Sequence, residues 1–200
     1  MTPDPNTDTA PPETPNGGAP QQPSKPPAAD NRETPRIYAA CLAAYNAGRL
    51  YGRWIDAAHG SDHVYAEIAA MLKASPIPDA EEWAIHDYEG FQGVRLEEYS
   101  GVERACALAA FISEYGALGA KLIDHHDGDI GAARAAFDDC AGCYARLADF
   151  AQSLTEDAGD IPERLAPYID YEAMARDMVL GGDVYVIELS FEDVHVFWTR

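Results

Sequence analysis

Positive charge is the scarcest ingredient of this chain. Its 200 residues hold 14 Lys+Arg against 34 Asp+Glu, a formal net charge of -20. Such a surface repels the phosphate backbone, so direct nucleic-acid binding through a basic patch is excluded. Adhesion to an anionic membrane leaflet is disfavoured for the same reason. No unbroken run of about 18 apolar residues occurs, and a membrane helix needs roughly that many. The first residues lack a basic start followed by an apolar block, so no secretory signal is expected. Cysteine is sparse, with Cys41, Cys106, Cys140 and Cys143 only. The expectation is a reducing, cytoplasmic setting without disulfides.

Residues 1–35 lack aromatic side chains altogether and hold 10 of the 14 prolines. Gly, Gln, Ser, Thr and Asn fill most of the remainder. Such a segment cannot bury enough apolar surface to offset its ordering entropy, and a disordered, polyproline-like tail is expected. The rest is different. Hydrophobic residues make up 47% of the chain, enough for a packed core. The charge is spread along that remainder: net -5 over 36–99, -6 over 100–158 and -6 over 159–200, with -3 left in the tail. No single acidic block accounts for it.

The patterning predicts an α+β fold with antiparallel strands, in three parts after the tail. Residues 36–99 read as an α+β unit. Arg36–Ala44 is an apolar run, Asn46-Ala47-Gly48 suits a hairpin loop with a left-handed glycine, and Leu50–Ile55 returns as the partner strand. The Ala-rich first run could equally be helical. Ser61 or Asp62 caps a helix with Val64, Ile68, Met71 and Leu72 on one face, stopped by Pro76 and Pro78. Trp83–Asp87 reads as a third strand. Residues 100–158 read as helical, with a break at Gly116 and a last pattern through Tyr144, Leu147, Phe150 and Leu154. Residues 159–200 return to α+β. Pro162 suits a first helical turn, Asp170 caps a helix that Gly181-Gly182 stops, and Val184–Leu189 with Val194–Trp198 form a terminal hairpin.

Catalytic and metal motifs are also missing. There is no Gly-x-Ser-x-Gly elbow and no Gly-rich phosphate loop. Cys140-Ala-Gly-Cys143 is half of a zinc site, but no second pair follows, and within a helical pattern both cysteines read as small buried hydrophobes. Asp124-His-His-Asp-Gly-Asp129 lacks calcium-loop spacing and reads as a polar loop whose acids cap the next helix. His59 and His63 are separated by Gly60 and Ser61, against a shared helix face. His86 and Asp87 point to opposite faces of a strand, and His195 is expected on the less buried side of its own. No catalytic residue, metal site or cofactor is therefore expected.

Three segments, in order and with matching spacing, resemble the ArdA family of antirestriction proteins. They are Arg36-Ile-Tyr-Ala-Ala-Cys-Leu-Ala-Ala-Tyr-Asn-Ala-Gly-Arg-Leu-Tyr-Gly-Arg-Trp-Ile-Asp56, Glu82-Trp-Ala-Ile-His-Asp-Tyr-Glu-Gly-Phe91, and Gly159-Asp-Ile-Pro-Glu-Arg-Leu-Ala-Pro-Tyr-Ile-Asp-Tyr-Glu-Ala-Met-Ala-Arg-Asp-Met178. The resemblance covers nearly all of residues 36–200, and the proline-rich tail departs from it. It implies an elongated, acidic homodimer with three small domains per chain. These would be an N-terminal α+β domain (36–99), a helical middle domain (100–158) and a C-terminal α+β domain (159–200). It further implies a DNA mimic, not an enzyme. Such a mimic occupies the DNA groove of type I restriction–modification enzymes, at their specificity and methyltransferase subunits. Incoming plasmid or transposon DNA then escapes cutting.

The net charge fits that expectation in scale. Duplex DNA carries a charge every ~1.7 Å of axis, so the -17 beyond the tail corresponds to about 29 Å of duplex, doubled in a dimer. The resemblance places a short antirestriction motif in the third segment, near the dimer interface. Its acids are Asp160, Glu163, Asp170, Glu172 and Asp177. Asp87, Glu89, Glu97 and Glu98 are the candidates from the first part, and Asp138, Asp139 and Asp149 from the middle. Asp160 and Asp170 also read as plain helix caps. The competing reading is an acidic enzyme or interaction domain whose charge only keeps it soluble.

Overall fold

The computed structural model describes residues 34–97, 100–159 and 161–199. The expected tail falls outside these residues except for Thr34 and Pro35, as do Glu98 and Asp160. The described residues form an α+β protein with six α-helices and two three-stranded antiparallel sheets.

The first sheet has the order β2-β1-β3, built from β1 (Arg36–Cys41), β2 (Gly52–Asp56) and β3 (Trp83–Glu89). Ile37 lies opposite Ile55 on one side and Tyr88 on the other, so the most apolar strand is central. The expected pairing of the first two strands holds, but the turn between them is different. The chain leaves β1 at Cys41 and coils into α1 (Leu42–Asn46), so the Ala-rich run is strand in its first half and helix in its second. Gly48 does take the left-handed conformation, at φ 72°. Helix α2 (Ser61–Lys73) buries Val64, Ile68 and Met71 as their spacing predicts. Neither Ser61 nor Asp62 caps it. The helix begins one residue earlier than expected, with Gly60 at the cap (φ 91°) and Asp62 in the first turn, where its charge favours the helix N-terminus.

Helix α3 (Val102–His125) is the spine of the molecule. The expected break is at Gly116, whose φ 62°, ψ -143° is not helical. No unbroken apolar run exists, as expected, but α3 is long and apolar enough by length and composition to cross a membrane. The share of its apolar window buried inside the protein is 61%, so that apolarity builds the core. One continuous cluster runs from Ile37 and Ile55 through Phe111 and Leu122 to Ile187 and Phe197.

The Asp124–Asp129 loop leads into α4 (Ile130–Ala135), and Asp129 caps it as expected, accepting from the N–H groups of Gly131 (2.8 Å) and Ala132 (3.0 Å). The next segment departs from the expected helix. Cys140–Tyr144 is a strand, β4, followed by α5 (Leu147–Asp157). Two physical reasons are visible. Gly142 sits at φ 140°, which no helix accommodates. The backbone of β4 also satisfies the edge of β6, which would otherwise expose a row of unpaired groups. Pro162 likewise does not open a helix. Its carbonyl accepts from Leu165 N–H (2.7 Å) in a turn, and α6 (Tyr171–Gly181) starts later. The expected cap and stop hold: Asp170 accepts from Ala173 N–H (2.9 Å), and Gly182 is left-handed.

The terminal hairpin is β5 (Val184–Ser190) and β6 (Asp193–Trp198), as expected, and the second sheet has the order β4-β6-β5. It therefore joins residues on both sides of position 158. Both of its faces are covered. Val184, Val194 and Val196 pack with Phe150, Leu147, Met178 and Val179 of α5 and α6. Tyr185, Ile187 and Phe197 face the main core, where Tyr185 stacks on His125 at the end of α3 with 4.3 Å between centroids. His195 alternates with the valines and so lies on this second face. It is less buried than Val194 and Val196, as expected, although its side chain is only 13% exposed.

Candidate functional site

No acidic residue among the described residues is buried, although one carboxylate oxygen of Asp139 is shielded from solvent. Arginines meet six of them, at Glu67, Glu89, Glu114, Asp149, Glu172 and Asp177. Fourteen bases cannot neutralise 34 acids, so exposed negative charge is the dominant feature of this surface.

The acids expected to matter fall into separate groups. Asp87 and Glu89 lie on β3. Asp87 accepts from Tyr88 N–H (2.8 Å), and Glu89 pairs with Arg36. Glu97 is exposed in the segment after β3. Asp138 is exposed in the turn before β4, while Asp139 beside it is half-buried.

The strongest convergence is along the seam of α5 and α6. Asp149, Asp170 and Glu172 border an open depression of about 450 Å³ with Arg146, Gln152, Tyr168 and Tyr171. Glu163 and Glu156 border a second one of about 400 Å³, which shares Gln152 and Tyr171 with the first. Residues far apart in sequence thus meet on one face. Glu156, near the end of α5, gave no sequence signal, and it borders the same depression as Glu163 of the segment that joins α5 to α6. Asp177 is exposed further along α6.

Not all of these carboxylates are equally available. Asp149 is committed within the fold. It accepts from the Arg146 backbone N–H (3.1 Å) and from its guanidinium (2.6 Å) in a reciprocal cap of α5, and the Asp149 carboxylate raises the Arg146 pKa. Glu172 is 3.9 Å from the same guanidinium and remains largely solvated. Elsewhere Tyr65 donates to Glu103 (2.8 Å). The Glu103 carboxyl is held below its ordinary pKa, first by its own backbone N–H and then by that hydroxyl.

The histidines do not form a catalytic arrangement with the acids expected near them. His86 packs edge-on against Tyr45 (5.0 Å between centroids), away from any role with Asp87. His59 and His63 belong to different helical segments, a short turn and α2, although their rings approach to 5.2 Å. One further cluster was not anticipated. Cys143, Asp193 and His195 meet across β4 and β6. Reading Cys143 as helical hid it, because the pairing that creates it exists only once β4 is a strand.

Comparison with curated proteins finds no match. A family model described as antirestriction protein (ArdA) matches residues 37–193, from within β1 to the first residue of β6. That span takes in every helix and the acidic seam of α5 and α6. The chain therefore belongs to the ArdA family of antirestriction proteins.

Proposed function

We propose that this antirestriction protein works as a DNA mimic, occupying the DNA groove of type I restriction–modification enzymes and blocking restriction of incoming DNA. The observation that carries this reading is the acid distribution. Carboxylates lie at the surface on both sheets' borders and on the helices between, with none in the core. A carboxylate can accept paired hydrogen bonds from arginine as a phosphate does. A mimic offers no base edges, so it engages the phosphate-contacting surface that enzymes of different recognition sequence share. Glu163, Asp170, Glu172 and Asp177 form the principal patch, with Asp87, Glu89, Glu97, Asp138 and Asp139 as outlying charges. Asp149 contributes by holding Arg146 and α5 in place.

The active species is a homodimer joined at its C-terminal end. Tyr168 (84% exposed) ends the turn before α6, Leu180 (78%) lies near the end of α6 and Phe191 (91%) at the tip of the terminal hairpin. The edge strand β5 lies alongside. Exposed apolar groups of this size mark association surfaces.

The test is displacement. Purified protein is added to a type I methyltransferase bound to labelled DNA. Release of the DNA at modest salt, declining as salt rises, is expected because bound anions compete for the same cationic groove. Failure to release DNA from several such enzymes would overturn the reading.

A further inference from the structure

We propose that Cys143, Asp193 and His195 form a binding site for a zinc-like divalent cation that clips β4 to the terminal hairpin. This site is independent of the acidic surface and of the antirestriction reading.

The geometry follows from strand register. Cys143 lies directly opposite His195 in the β4–β6 ladder, so the two side chains leave the sheet on the same face. Asp193 is two residues before His195 on β6, which returns it to that face as well. The three ligand atoms all lie within 4.8 Å of one another. Asp193 Oδ1 is shared: the Cys143 thiol donates to it at 3.1 Å, and His195 Nε2 stands 2.9 Å away. Ligands about 2.0–2.3 Å from a tetrahedral zinc sit roughly 3.3–3.8 Å apart, so the two contacts of Asp193 Oδ1 open by a few tenths of an ångström on a cation, while Cys143 and His195 already lie within 4.8 Å.

The donor set suits the metal. Thiolate, imidazole and carboxylate together are the borderline-soft combination that zinc takes, and three protein ligands leave a fourth position for water. The charges also balance. Coordination replaces the thiol proton, which goes to solvent, and moves the imidazole proton from Nε2 to Nδ1. Thiolate and carboxylate then neutralise the dication, which favours a half-buried location.

This arrangement also supplies what the Cys140–Cys143 spacing lacked. The rest of the ligand set comes from β6, 50 residues further along the chain. Cys140 stands outside the triad, opposite Phe197 and beyond a register shift in β4. A cation here closes a long loop and fixes the register of β4 where the bulge would otherwise let it slip.

The experiment is zinc and cobalt binding to the full chain after EDTA treatment and dialysis. Expected are one zinc per chain in competition with a chromophoric chelator, a thiolate-to-cobalt charge-transfer band, and a rise in Tm with zinc. C143S removes the band, D193N and H195Q weaken zinc binding by about tenfold or more, and C140S behaves as the parent. Zinc binding by the parent that is no tighter than by C143S overturns the proposal. So does a cobalt complex without the thiolate band. Circular dichroism checks that the variants fold. Should they not, alkylation of the parent chain decides: zinc must slow modification of Cys143 selectively over Cys140, and equal rates with and without zinc overturn the site.

Discussion

Asp129 and Asp170 do the same work at two helix starts, each accepting backbone N–H groups that the first turn would leave unpaired. Both were legible as caps, because the acid precedes an apolar periodic run in the sequence. D170A should destabilise the protein by about 1 kcal/mol, read from urea unfolding. Asp129 adds a pH signature. The N–H groups of Ala132 and Gly131 hold its carboxyl below the ordinary value in the folded state. A depressed carboxylate contributes stability above its unfolded pKa of about 4, and loses that contribution as pH falls through the folded pKa. D129N retains a capping oxygen without the charge. The stability gap between parent and D129N should therefore be full near neutrality and close in acid. An unchanged gap from neutral pH down to about pH 2 would show that the charge contributes nothing.

Elements were legible where one periodicity dominated and opaque where tertiary partners chose. The face of α2 and the terminal hairpin follow directly from spacing 3.6 and spacing 2. Helix α3 was visible together with its break, since glycine is the residue that tolerates φ 62°. A second glycine in this helix has a packing role that spacing alone does not reveal. A Cβ at Gly119 would come within 2.6 Å of the Tyr115 Cβ and 3.2 Å of the Phe111 ring. G119A should therefore cost about 1–3 kcal/mol despite alanine's better helix propensity, measurable as a lowered urea midpoint. A stabilised variant would mean that the aromatic pair moves aside freely. Strand β4 was illegible for the opposite reason. Five residues with two cysteines and a glycine carry too little pattern, and the edge of β6 decides their conformation.

At the scale of the whole molecule, the proposed mimicry makes the functional quantity a field. Neutralising single acids of the principal patch, as in E163Q, E172Q or D177N, should each weaken inhibition of a type I enzyme by only about two- to fivefold, the range of an exposed ion pair. Combined, well-separated substitutions should multiply, because independent sites add in free energy. Inhibition titrations of single, double and triple variants measure this. Complete loss from one uncharged substitution on a folded protein, with no effect of the triple charge variant, would contradict a distributed mimic. The proposed dimer has its own readout. F191D and L180D should shift the protein toward monomer in analytical ultracentrifugation, since each places a charge in an apolar contact.

The sequence by itself determined the sign, amount and evenness of the charge, the α+β class, the caps at Asp129 and Asp170, and the family. Apart from the family, which segments spread along the chain carry, each depends on composition or on neighbours within a few positions, where local physics acts. The tertiary structure decided which acids share a face, because Asp149 and Glu172 border one depression only when α5 packs on α6. It decided equally that Cys143 stands opposite His195. Both are long-range pairings. They are set by burying valine faces and satisfying strand edges, and no short window of sequence contains both partners.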